Sequence, residues 1–314
     1  MELVSKKITG TVKGVVGGVV TTGEFLNHCV KASMVGMNDS LDTSIPNLTR
    51  SESERAKGEF GGPRKVIMVP PHSLDYVKAI KKAYATKFDT PVALTTVLVA
   101  VFTGAMRRYI EARSPQSLEG VKMRVSIPVP VPVSKKDKTP DGKPNPDGLY
   151  NSFVAIMADM ALDQPTPVER LDKTHKLLSQ INWPMMAVCS DFMASTFLPL
   201  MPDKMRQEKV LNFIAQHTLG LSNVPGPDTH GFVGGCRVES IYVMLPTINP
   251  QVTILSYDGH LHLAAIVDPE VVADPELLAR MYLLELAEMG KALGVYRDPI
   301  TNAEIVGAPG GARA

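Results

Sequence analysis

Apolar positions along the chain recur in two periods, and the switches between them mark the elements. In "TPVALTTVLVAVFTGAMRRYIEA" (90–112) nearly every face is apolar until Arg107, which predicts a helix buried among other elements, with Pro91 in its first turn. Ser73 caps a helix on which Val77, Ile80 and Tyr84 recur. Thr166, Pro167 and Glu169 form a capping box opening a helix that runs to about Asn182, before Trp183-Pro184. Two further helices fall at about 188–200 and 203–216. Asp274-Pro275 opens a last one that turns Leu277, Leu278, Met281, Leu284 and Leu286 inward.

The period-two and β-branched stretches predict strands at 65–70, 121–133, 152–162 and 237–245, with a hairpin over 251–268 turning at Asp258-Gly259. The prolines of 121–133 suit a strand at a sheet edge. Strands and helices neither alternate strictly nor segregate. The fold class is therefore α/β (α+β), a mixed β-sheet flanked by helices. Residues 1–60 read as a helical or irregular linker, 61–296 as the folded domain and 297–314 as a flexible Gly-rich tail. A solvated basic face is favoured over a membrane-surface helix for Lys6, Lys7 and Lys13, and a solvated loop over a phosphate site for the lysines of 134–148.

Composition narrows the function classes. The 314 residues are 44% hydrophobic and 21% charged, ordinary globular values, and a net charge of +1 gives no footprint for nucleic acid. Cys29, Cys189 and Cys236 are widely spaced and lack any zinc-ligand pattern, which predicts unpaired thiols and an intracellular setting, with no metal site. The uncharged apolar stretch near residue 15 is too short to span a bilayer. The polypeptide is thus expected in the cytoplasm or at a membrane surface.

No GxSxG elbow, Walker loop or HExxH occurs. His72, near a helix start, reads as solvent-facing or capping, and His175 as exposed. His260 and His262 share one strand face, where a surface pair is favoured over a metal site. His217 precedes and His230 lies within "LSNVPGPDTHGFVGG" (221–235), a stretch with two prolines and four glycines. It matches no phosphate-binding loop, and Ser222 has no base beside it. It reads instead as a rigid corner at a strand end. Pro225 and Pro227 fix φ, Gly226 supplies a positive φ, and the Asn223 side chain bonds the turn's own backbone.

"LSNVPGP", followed by "GGCRVESIYVMLP" and "VTILSYDGHLHLAAIVD", resembles the C-terminal domain of the wax ester synthase/diacylglycerol acyltransferase family. "VLVAVFTGAMRRYI", "VSIPVPVPV", "LYNSFVAIMADMAL" and "VERLDKTHKLL" resemble its upstream elements, so the likeness covers about 60–295. The resemblance implies a CoA-dependent acyltransferase-like fold, related to chloramphenicol acetyltransferase and condensation domains. It also implies acyl-CoA as a substrate, with no further cofactor, and diacylglycerol or a long-chain alcohol as acceptor, and allows membrane contact at the endoplasmic reticulum or lipid droplets. Thr95, Thr96, Ser222 and Asn223 would line the tunnel.

In that family the base is the second histidine of an HHxxxDG motif on an N-terminal domain. The motif does not occur here, so no residue of this chain is assigned as catalytic, and the catalytic half is expected on a separate segment. The family's Asn-Asp pair on the buried helix falls on Thr95-Thr96. Three readings follow: an acyltransferase polypeptide that works with a catalytic half or as a homo-oligomer, a non-catalytic acyl-CoA or lipid-binding module, and, behind both because nothing positions a partner beside either ring, a stand-alone enzyme with His217 or His230 as base.

Overall fold

The hairpin over 251–267 follows from purely local sequence. Asp258 (φ 47°) and Gly259 (φ 75°) both take left-handed backbone, which a two-residue turn of this twist requires and which Asp-Gly supplies at low cost. The computed structural model describes residues 64–113, 118, 121–130, 153–181, 183–192, 198–215, 217–247, 249–269 and 272–301. Among them the strands are β1 (Lys65–Met68), β2 (His72–Ser73), β3 (Arg124–Pro130), β4 (Phe153–Asp159), β5 (Leu219–Val224), β6 (Phe232–Val233), β7 (Cys236–Arg237), β8 (Gln251–Tyr257) and β9 (His260–Val267). The helices are α1 (Leu74–Phe88), α2 (Leu94–Arg113), α3 (Pro167–Ser179), α4 (Trp183–Phe192), α5 (Asp203–Ala215) and α6 (Pro275–Ala292).

The strand order is β1-β9-β8-β5-β3-β4, with β2 also on β9 and β6-β7 forming a separate ribbon. β8 and β9 are antiparallel, β5 runs parallel to β8, and β1 is antiparallel to β9, so the sheet is mixed as expected. The chain divides into two units. Among the described residues, one holds those within 126–157 and 179–215; the other holds those within 64–125, 158–178 and 217–301. In the first, Val154, Ile156 and Ala187 are buried together, with Val129, Ile181, Trp183 and Met186 against them.

In the second, α2 and α6 pack together, burying Val97, Leu98, Val101 and Phe102 of α2 and Leu278, Tyr282 and Leu286 of α6. Alternation assigns the two faces of the sheet. Leu221, Asn223, Ile254, Leu261 and Leu263 point to the helix side. Ser222, Thr253, Leu255, His262 and Ala264 share the opposite side, as the in-register pairs Ser222–Thr253 and Leu255–His262 require.

Both expected caps form. The Ser73 Oγ accepts from Tyr76 N (3.1 Å), and Thr166 Oγ1 accepts from Glu169 N (3.3 Å) while Glu169 Oε2 accepts from Thr166 N (3.2 Å).

Several expectations are corrected. Pro91 lies ahead of α2, whose first bonds go from Thr96 N and Val97 N to the Ala93 carbonyl. β3 lies between β5 and β4 rather than at an edge; the bonds Thr218 N–Arg124 O and Met160 N–Met123 O sit ahead of Pro128 and Pro130, which therefore cost it nothing there. α3 stops at Ser179, and Trp183-Pro184 opens α4 instead of interrupting, because proline fits a first turn. The expected strand 237–245 shrinks to β7, since Ser240–Pro246 have no ladder partner. Leu284 is exposed: the inner stripe of α6 is claimed by Tyr282, Glu285, Leu286 and Met289. Within the expected tail, the Pro299 carbonyl accepts from Ser73 N (2.9 Å). The N-terminal linker, the lysine-rich loop and the tail beyond Thr301 lie outside the described residues.

Candidate functional site

β5 ends at Val224, and the chain turns through Pro225-Gly226-Pro227. Two bonds pin this corner to the end of the hairpin. Gly226 N donates to Ser256 Oγ (3.0 Å), and Asp258 N donates to the Pro227 carbonyl (3.0 Å). The reason for glycine differs from the one expected. Gly226 does not take a positive φ; a Cβ there would lie 2.2 Å from the Ser256 carbonyl oxygen. Close backbone approach, not handedness, selects it.

Asn223 is also corrected. Its side chain does not bond the turn but crosses to α2, where Nδ2 donates to Thr95 Oγ1 (3.2 Å). Of the four expected lining residues, the structure thus joins Thr95 and Asn223. Thr96 is buried in α2 at 4% exposure, one step round the helix. Ser222 alternates with Asn223 and lies half-buried on the other face of the sheet beside Thr253. The corner and the buried helix are therefore linked by a neutral hydrogen bond between an amide and a hydroxyl, a pair that can position a polar group but has no base of its own.

The histidines sit elsewhere than expected. His72 is fully buried in β2: its Nε2 meets Tyr282 Oη at 3.0 Å, and its Nδ1 lies 3.4 Å from the Pro70 carbonyl. Burial lowers its pKa to about 4, so the ring is neutral. His262 is 1% exposed rather than on the surface. The Tyr242 and Tyr257 rings flank it at 5.3 and 5.8 Å, and burial lowers its pKa as well. His260 is exposed and bonds the Asp258 carbonyl (2.8 Å). His175 is half-buried against Tyr84. His217 is buried and its carbonyl accepts from Asn249 (2.9 Å). His230 lies near the surface, 3.8 Å from Asp258 and edge-on to Phe232.

One buried polar centre escaped the sequence reading. Glu285, with no exposure, receives Arg108 Nε on Oε2 (2.6 Å) and Arg170 on Oε1. Arg170 Nη1 also donates to the Gln164 and Pro165 carbonyls (2.7 and 2.9 Å). Gly104 makes room, since a Cβ there would fall 2.2 Å from the Glu285 carboxyl carbon. A glutamate inside the apolar stripe of α6 was the available signal. Among the described residues no cluster of three or more His, Cys, Asp or Glu side chains is placed to hold a metal, and no helix is long and apolar enough to cross a membrane.

The fold is shared with two solved structures. The wax ester synthase/diacylglycerol acyltransferase from Marinobacter aquaeolei VT8 superposes with a TM-score of 0.52 at 15% identity, over 88% of this chain and 58% of that one. The epimerization domain from the third module of tyrocidine synthetase B gives 0.50 at 10% identity, over 87% and 56%. The chain thus has the mixed-sheet fold of these two proteins.

Within it, residues 150–290 match the model of the WS/DGAT C-terminal domain, so the family resemblance holds over that region. A Mycobacterium tuberculosis H37Rv protein carrying the name diacylglycerol O-acyltransferase is 25% identical over 165 residues, 46% of this chain and 33% of its own. Another from strain CDC 1551 is 25% identical over 204 residues, 62% and 37%. The chain spans about a third of the length of these relatives.

Proposed function

We propose that this polypeptide takes part in O-acyl transfer from acyl-CoA to diacylglycerol or a long-chain alcohol, giving triacylglycerol or a wax ester. The observation that supports this reading is the Asn223–Thr95 bond. It ties the "LSNVPGP" corner, inside the matched region, to the buried helix that the resemblance places at the tunnel. In the proposed reaction the acceptor oxygen attacks the thioester carbonyl, the carbon–sulfur bond breaks, and CoA leaves as its thiol. The proton passes from the hydroxyl to a base and on to the departing sulfur. That base is assigned to an HHxxxDG-bearing half, because the motif does not occur in these 314 residues. Acyl-CoA is a substrate on this reading and no further cofactor enters. The polypeptide works with that half or as a homo-oligomer, in the cytoplasm or at the surface of the endoplasmic reticulum or lipid droplets.

The second reading, a non-catalytic acyl-CoA or lipid-binding module, draws on Thr95-Thr96, which keep hydroxyls where the family carries an Asn-Asp pair. The test mixes the 314-residue chain with an HHxxxDG-bearing half and radiolabelled palmitoyl-CoA, with dioctanoylglycerol or hexadecanol as acceptor. Labelled ester formed only by the mixture supports acyl transfer. An inert mixture that still binds palmitoyl-CoA replaces it with the binding module.

A further inference from the structure

Between the β6-β7 ribbon and β8 the chain runs from Glu239 to Thr247 without a turn, a bend or a left-handed residue. Its central stretch, "SIYVMLP" (240–246), is apolar and rich in strand formers, yet it joins no ladder. Pairing stops at Val238, whose N–H donates to the Gly231 carbonyl (2.9 Å) and whose carbonyl accepts from Tyr257 Oη (2.8 Å). From Glu239 to Thr247 no backbone N–H or carbonyl meets a hydrogen-bond partner among the described residues. Met244 and Leu245 stand 39% and 52% exposed, and the ribbon before them carries Phe232 and Val233 at 63% and 72%. An extended apolar segment with its backbone unpaired is a template for another strand.

The sheet of the same chain does not supply that strand. Tyr242 pins the segment across a face of the sheet, not along an edge. Its hydroxyl donates to the Val69 carbonyl (2.9 Å), and its ring lies edge-on to His262 at 5.3 Å. His262 belongs to β9, which already has β8 on one side and β1 and β2 on the other.

We propose that residues 240–246 pair antiparallel with the same segment of a second copy of this chain. Proline and charge set the register. Pro246 has no N–H and takes a position without a ladder bond; because positions alternate, Ile241, Val243 and Leu245 carry the bonds. Centred on Val243, the pair sets Ile241 opposite Leu245 and Glu239 opposite Thr247, so apolar meets apolar and no like charges face each other. No charged residue follows Glu239 before Asp258. A two-fold axis at Val243 generates the second strand from the first, which makes the contact self-complementary and closed. It gives the homo-oligomeric form named above a contact surface. It is read from association and hydrogen exchange alone, so this pairing and acyl transfer fail independently.

The test measures the mass of the full chain by sedimentation across a range of concentrations and follows amide hydrogen exchange by NMR. A dimer is expected in which the Ile241, Val243 and Leu245 amides exchange more slowly as it forms, while those of Tyr242 and Met244 keep the monomer's rates. Val243→Pro takes a ladder donor from each copy and should weaken association by about tenfold or more. Its circular dichroism should stay that of the native chain, because the Val243 backbone makes no bond within its own chain. Leu245→Lys, at an exposed position, should weaken association likewise without altering the backbone. A monomer at every concentration overturns the inference, as does a dimer whose three amides stay unprotected or one that survives either substitution. Protection that arises only on adding an HHxxxDG-bearing half also overturns it and assigns the segment to that half.

Discussion

Asn223 and Thr95, far apart in sequence, meet across 3.2 Å as amide donor and hydroxyl acceptor, one at the end of β5 and the other in the first turn of α2. A neutral bond of this kind contributes about 1 kcal/mol net. Thr95→Val and Asn223→Ala should each lower stability by about that amount, with the double variant losing less than the sum, as read from urea unfolding. Strict additivity would show that the contact does not couple the two elements.

A larger effect is expected at Glu285. Removing a charge that two arginines share in the interior strands the remaining charges, and Glu285→Ala should cost about 3–5 kcal/mol. Gly104→Ala should also destabilise, by about 1–3 kcal/mol, because its new methyl meets the Glu285 carboxyl. The two losses should not add, since truncating Glu285 clears the space the methyl needs. Thermal unfolding of the three variants decides it.

His72 sets a pH dependence. Its folded pKa, about 4, lies below the unfolded value near 6.5, so the unfolded chain takes up the proton first. The contribution is fully present above pH 6.5 and is lost as pH falls towards 4, about 3 kcal/mol in all. Denaturant unfolding at pH 7.5, 6 and 4.5 should show that slope in the native chain and a flatter one in His72→Phe. Equal slopes would remove His72 from the account.

At the corner, Gly226→Ala should cost more than Ser256→Ala. The first drives a methyl against the Ser256 backbone carbonyl, and the second deletes only the hydroxyl that accepts from Gly226 N. Matched midpoints in urea for the two variants would contradict the close approach.

What the sequence disclosed follows from where the information is local. The caps at Ser73 and Thr166, and the Asp258-Gly259 turn, depend on residues within a few positions, and all three formed as read. The two explanations given for the corner went wrong because both reasons are tertiary. Gly226 answers to Ser256, and Asn223 to Thr95. The Glu285 centre draws its arginines from α2 and α3, and no window around any one of the three contains the others. The burial of His72 and His262 likewise depends on β-pairing and on rings from α6 and from the segment around Tyr242, which periodicity within β9 does not encode.

The hairpin turn has a consequence for how the chain assembles. Three segments converge on Asp258-Gly259: Leu74 N, opening α1, donates to the Gly259 carbonyl (3.1 Å), the corner's Pro227 carbonyl accepts from Asp258 N, and Arg237 reaches the Asp258 carboxylate (3.2 Å). A two-residue hairpin closes in about 1–10 μs, well before contacts between distant segments can be gathered. The hairpin is thus available to the folding chain before α1 and the corner attach to it. Gly259→Ala, strained at its left-handed φ, should therefore slow folding more than it speeds unfolding. In the finished molecule the turn is a surface detail; during folding it serves as the anchorage.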